Sequence, residues 1–146
     1  NKSFLVDDDA EAGLHLAQRL HEKGYFGSGQ YEVVLVSGQQ PAVSGGTDTH
    51  LFLIDTWKRG LNGKIASERL EDVGIIVNKN TIPYDARSPV DPSGIRIGTA
   101  AITTRGMKEL EMKKIARFID LALWHRANNG EIQKEVALLC KKFPIK

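Results

Sequence analysis

An α+β domain with helices packed to one side of a short sheet is what the sequence predicts, and three observations predict it. Short apolar or β-branched runs of strand length recur at 31–36, 49–55, 75–77 and 95–97. Other segments carry apolar residues at three- and four-residue spacing, the mark of a helix with one buried face. Clusters of Gly, Pro and Asn separate the two kinds of segment. At 146 residues the chain is long enough to close one hydrophobic core, so a single domain over 1–146 is expected.

Taken in order, Asp8 or Asp9 can cap a first helix whose stripe is Ala12, Leu16, Ala17 and Leu20 and whose stop is Gly24. Gly27-Ser-Gly29 makes a turn into the strand at 31–36, and Gly38-Gln-Gln-Pro41 and Ser44-Gly-Gly46 read as loops. The nearly continuous apolar run at 49–55 predicts a strand covered on both faces. Ile65, Ala66, Leu70 and Val73 predict a helix over 63–73 that ends at Gly74, followed by a short strand at 75–77. Residues 80–92 contain three prolines and must be irregular. After the strand at 95–97, a long helix from about Met107 carries Met112, Ile115, Ile119 and Ala122 on one stripe. Asn128-Asn-Gly130 breaks it, and 131–142 forms a last amphipathic helix.

Charge and cysteine usage exclude several function classes. Twenty basic and 18 acidic residues are interspersed for a net charge of +2, so there is no basic stripe for a nucleic acid. A single Cys140 forms no internal disulfide, and there is no leader and no 18-residue apolar run; a reducing, cytoplasmic setting away from membranes is expected. The chain opens at Asn1 without an initiator Met, as a piece cut from a longer protein would.

Most apparent motifs have a structural explanation. Gly24-x-x-Gly-x-Gly29 lies between a helix and a strand, the reverse of the order a dinucleotide fingerprint needs. Gly60-Leu-Asn-Gly-Lys64 resembles part of a phosphate loop, but Lys58 stands where the first Gly belongs and Ile65 replaces the hydroxyl residue, so it reads as a helix start. His15, His21, His50 and His125 are scattered without metal-site spacing. Asp7-Asp-Asp9 reads as a capping or solvated run, and Cys140, beside Leu138 and Leu139, as a core residue. Ser93-Gly-Ile-Arg-Ile-Gly-Thr99 is different. A lone Arg in an apolar strand, flanked by glycines that let another group come close, suits a gripped anion or else a structural ion pair.

Three segments resemble serine hydroxymethyltransferases: Ser44-Gly-Gly-Thr-Asp-Thr-His-Leu-Phe-Leu-Ile-Asp55, Gly74-Ile-Ile-Val-Asn-Lys-Asn-Thr-Ile-Pro-Tyr-Asp-Ala-Arg-Ser-Pro89, and Ser93 to Gly106. They occur in that family's order over roughly 43–119. The resemblance implies the C-terminal small domain of a fold-type I, pyridoxal-phosphate-dependent enzyme. Such a domain has two layers, a mostly antiparallel sheet with helices on one side. The enzyme moves a one-carbon unit between serine and tetrahydrofolate. The resemblance also implies that Arg96 holds the substrate's α-carboxylate, that Asn80 hydrogen-bonds the folate ring, and that the Pro-rich loop at 81–92 lines the folate site. Residues 27–42 read as an insertion relative to the family, and Val90-Asp91-Pro92 departs from its usual bulky residues. The family's Schiff-base lysine segment, on the large domain, is absent from these residues. The isolated chain is therefore expected to be inactive, with the large domain of the same chain as its partner and a homodimer or homotetramer as the assembled enzyme. An aminotransferase-like fragment and a stand-alone, non-catalytic amino-acid-binding module are the alternatives. An Arg96 side chain pointing to bulk solvent, or tied up internally far from any docking face, would overturn the transferase reading.

Overall fold

The computed structural model describes residues 3–6, 32–35, 49–125 and 129–145. Strands β1 (Ser3–Val6) and β2 (Glu32–Leu35) pair in parallel, Ser3 opposite Glu32 and Val6 opposite Leu35. The strand expected at 31–36 thus forms over its middle, whereas β1 has no counterpart in the sequence reading. The first helix expected from Asp8 or Asp9 to Gly24, with Asp7, His15 and His21, lies outside the described residues, as do the turn at 27–29 and the loops at 38–41 and 44–46.

The rest is an α+β unit. Strand β3 (Leu51–Asp55) runs through a 3-10 turn (Trp57–Arg59) into α1 (Gly63–Asp72), then β4 (Asn78–Asn80) and β5 (Gly94–Gly98). There follow α2 (Ala100–Thr104), α3 (Glu109–Asp120) with a π-turn over Leu121–His125, and α4 (Asn129–Lys142). The three-stranded sheet has the order β3-β5-β4, with both outer strands antiparallel to β5. β3 and β4 therefore run parallel to each other, joined over α1, with β5 inserted between them.

Strand alternation sorts the sheet into two faces. Ile95 and Ile97 share a face with Ile54 and Phe52, and on that side they meet Ala66, Leu70 and Val73 from α1 with Ile119, Ala122 and Leu123. Ile132 of α4 closes the same core. Burying Leu70 and Leu123 completely contributes about 2 kcal/mol each relative to exposure.

α1 begins and ends by local chemistry. The Asn62 side-chain oxygen accepts the Ile65 N–H at 2.7 Å, a cap for an otherwise unpaired donor. At the other end Gly74, at φ +83°, lets its own N–H reach Glu71 O and the Ile75 N–H reach Leu70 O. Gly63 is fixed by packing: a Cβ there would collide with the Gly94 carbonyl, so α1 sits on β5 only without one.

Three expectations change. Among the described residues the run at 49–55 is covered on one face only, with Leu51 at 38% exposure, because the described helices lie on one side of the sheet. The short strand expected at 75–77 forms instead at Asn78–Asn80. Closure of α1 takes the Ile75 N–H, and the ladder starts once the chain is clear of that turn. α2 was hidden: five residues are too few for a helical period, and it is set by the Thr99 N–H on His50 O at 2.9 Å. No helix among the described residues is long and apolar enough to cross a membrane.

Candidate functional site

The face of the sheet opposite the helices carries the sequence-predicted site residues. Arg96 pairs with Leu53 on β3 and Asn78 on β4, and the next row is Asp55, Gly94 and Asn80. Arg96 and Asn80 thus share the face turned away from the described helices, on adjacent strands and one row apart on the diagonal, a separation of about 7 Å between backbones.

Arg96 is exposed, and among the described residues no carboxylate or carbonyl holds its guanidinium. Among these residues Arg96 makes no structural ion pair. Its exposure is the outcome set against the transferase reading; the side chain stands on the face of the sheet turned away from the described helices, with no partner among the described residues. Asn80 is half-buried; its amide nitrogen donates to Thr81 O at 2.6 Å, which turns the amide and leaves its carbonyl oxygen to accept.

The connection from β4 to β5 is ordered by side chains. Pro83 and a left-handed Tyr84 (φ +60°) occupy the centre of a turn closed by the Asp85 N–H on Ile82 O at 3.0 Å. Asp85 then accepts from Ser93, Ile82 and Arg87, and these donors hold its carboxyl well below the usual carboxylate range, those of Ser93 foremost. Arg87 pairs with Asp91 and stacks over the Trp57 ring at 4.0 Å. The prolines marked this loop as irregular, but the Asp85 hub went unnoticed in the sequence; Pro-Tyr-Asp, a turn-forming triplet, was the available signal.

Other polar clusters are structural. Buried Asp120 holds Arg59 at 3.4 Å and His125 Nε2 at 3.4 Å, and Arg59 lies over the Trp124 ring at 4.0 Å. Arg105 donates to Phe143 O at 2.6 Å and Cys140 O at 2.8 Å, satisfying carbonyls at the end of α4. Cys140 is half-buried rather than fully in the core. It lines an apolar groove of about 260 Å³ with Ile75, Val77, Ile97 and Val136, on the helix side of the sheet, away from Arg96. His50 is exposed, and no cluster among the described residues could hold a metal ion. As expected, Gly60 to Lys64 is a helix start, with Asn62 as the cap.

Comparison with known proteins identifies the family. The serine hydroxymethyltransferase family matches residues 28–119, a range that contains Asn80 and Arg96. A serine hydroxymethyltransferase from Acidobacterium capsulatum is 54% identical over 106 residues, covering 70% of this chain and 25% of its own length. The chain thus spans about a quarter of the length of the curated relative it matches. On a family match over more than half of its residues, with an α+β fold that brings Asn80 and Arg96 to one face, the chain belongs to the serine hydroxymethyltransferase family.

Proposed function

We propose that this chain is the small C-terminal domain, fold type I, of a pyridoxal-phosphate-dependent enzyme that transfers a one-carbon unit between serine and tetrahydrofolate. Arg96 takes the α-carboxylate of serine or glycine, and Asn80 hydrogen-bonds the folate ring. The observation that carries this reading is a guanidinium with no partner among the described residues, on the face of β5 turned away from the described helices, one row from Asn80 and inside the range matched by the family. A planar guanidinium meets a carboxylate through two parallel charge-assisted bonds and so fixes the orientation of the amino acid as well as its position. Orientation matters because the bond broken at the α-carbon must stand perpendicular to the plane that absorbs its electrons.

Pyridoxal phosphate supplies that electron sink when bound. The described residues do not fit it by themselves. Lys79, on β4, turns to Val90 O at 2.9 Å, and among the described residues of the sheet Arg96 is the cation on the opposite face, suited to one carboxylate. The cofactor's anchors therefore belong to polypeptide outside this domain, the large domain of the same enzyme. A cytoplasmic homodimer or homotetramer belongs to the same proposal. An aminotransferase-like fragment has no observation in its favour once the family is known, and Asn80 beside the Pro-rich loop supports folate.

Arg96→Ala in the full-length protein tests this. A substrate-carboxylate contact is worth about 2–5 kcal/mol, so KM for serine should rise by more than about tenfold in steady-state assays with tetrahydrofolate. Unchanged serine kinetics would overturn the assignment.

A further inference from the structure

The loop between β4 and β5 connects the two candidate ligand residues, and a single carboxylate closes it. Asp85 Oδ2 accepts the backbone N–H of Ser93 at 2.9 Å and of Ile82 at 3.2 Å. Its Oδ1 accepts the Ser93 hydroxyl at 2.7 Å and the Arg87 N–H at 2.9 Å. Ile82 stands two positions after Asn80, and Ser93 three before Arg96, so the clip joins the chain just beyond one residue to the chain just before the other.

Ser93 passes the constraint to the third strand. Its carbonyl accepts the backbone N–H of Thr56 at 3.1 Å and of Trp57 at 3.0 Å, and the buried Thr56 hydroxyl at 3.2 Å, where β3 ends. The ends of β3, β4 and β5 are thus tied through Ser93 and Asp85. Asp85 touches neither Arg96 nor Asn80.

We propose, resting on the hydroxymethyltransferase reading, that Asp85 is a positioning residue: by clipping Ile82 to Ser93 it sets the spacing between Asn80 and Arg96, and so holds the folate ring and the amino acid in register. Both of its oxygens face donors, which is why an ionised carboxylate suits the place. An amide here would aim an N–H at one of the backbone N–H groups and break part of the clip.

The test uses the full-length protein, with Asp85→Ala, Asp85→Asn and Ser93→Ala assayed beside Arg96→Ala. In Asp85→Ala, KM for serine and KM for tetrahydrofolate should both rise by about tenfold while kcat changes less, since small misplacements of bound groups are costly. Asp85→Asn should move both in the same direction, and amide hydrogen exchange at Ile82, Arg87 and Ser93 should quicken. A purely structural role would lower the active fraction, and with it kcat, while leaving both KM values alone; that result overturns the proposal. So does a change in only one KM. Should Asp85→Ala fail to fold, Ser93→Ala, which removes one of the four bonds, carries the same expectation at about threefold. If Arg96→Ala raises the serine KM while the Asp85 and Ser93 variants leave both KM values unchanged, the positioning role alone is wrong. If Arg96→Ala leaves it unchanged, the underlying functional reading is wrong.

Discussion

Arg96 is available because its neighbours in sequence are not. Ile95, fully buried, and half-buried Ile97 turn to the core, and the alternation of the strand sends the guanidinium to the other face. Arg96→Lys should keep the charge but lose the two-pronged grip, raising KM for serine and slowing turnover in steady-state kinetics. Asp85 has its own pH signature. Its carboxyl is held below the ordinary range by donors from Ser93, Arg87 and Ile82, so the stabilisation is complete above the unfolded-state value near ~4 and is lost as acid carries pH down through the folded-state value. The loop should therefore stay ordered to well below pH ~4. Fluorescence of Trp57, over which Arg87 stacks, reports this in a Trp124→Phe background, and a transition centred above pH ~4 would contradict it.

At the scale of elements, the domain depends on close approaches that single substitutions can test. Gly63→Ala should destabilise by about 3 kcal/mol, measured by denaturant unfolding, because its Cβ meets the Gly94 carbonyl and α1 must lift from β5. Arg105→Ala should cost about 1–3 kcal/mol in the same measurement, since it strips donors from the Cys140 and Phe143 carbonyls where α4 ends. α1 and α3 were legible because each has a stripe, Ala66, Leu70 and Val73 for the first, and Met112, Ile115 and Ile119 for the second. β4 was not, since Asn78-Lys-Asn80 is polar throughout and becomes a strand only by pairing with β5.

For the molecule as a whole, the face of the sheet turned away from the described helices bears on both the proposed function and the behaviour of the isolated chain. Leu51, Leu53 and Arg96 lie on it, and no layer among the described residues covers it. The chain on its own should self-associate in sedimentation velocity, and Leu53→Lys should reduce that association. The isolated chain should also show no turnover of serine and no new absorption band on addition of pyridoxal phosphate; either would disprove the division of labour proposed between this domain and the large one.

The residues themselves determined the α+β class, the helix start within Gly60 to Lys64, the helix stops at Gly74 and after Lys142, and the interest of Arg96 between its glycines, while the order of segments shared with a family pointed to Asn80. Each of these depends on local periodicity, turn chemistry or the order of short segments, which a chain carries before it folds. Tertiary structure decided which face Arg96 occupies, that Asn80 stands one row away, that Asp85 ties the loop between them, and which face of β3 the described helices cover. Those are relations between residues as far apart as Thr56 and Ser93, and they exist only once β5 has slotted between β3 and β4.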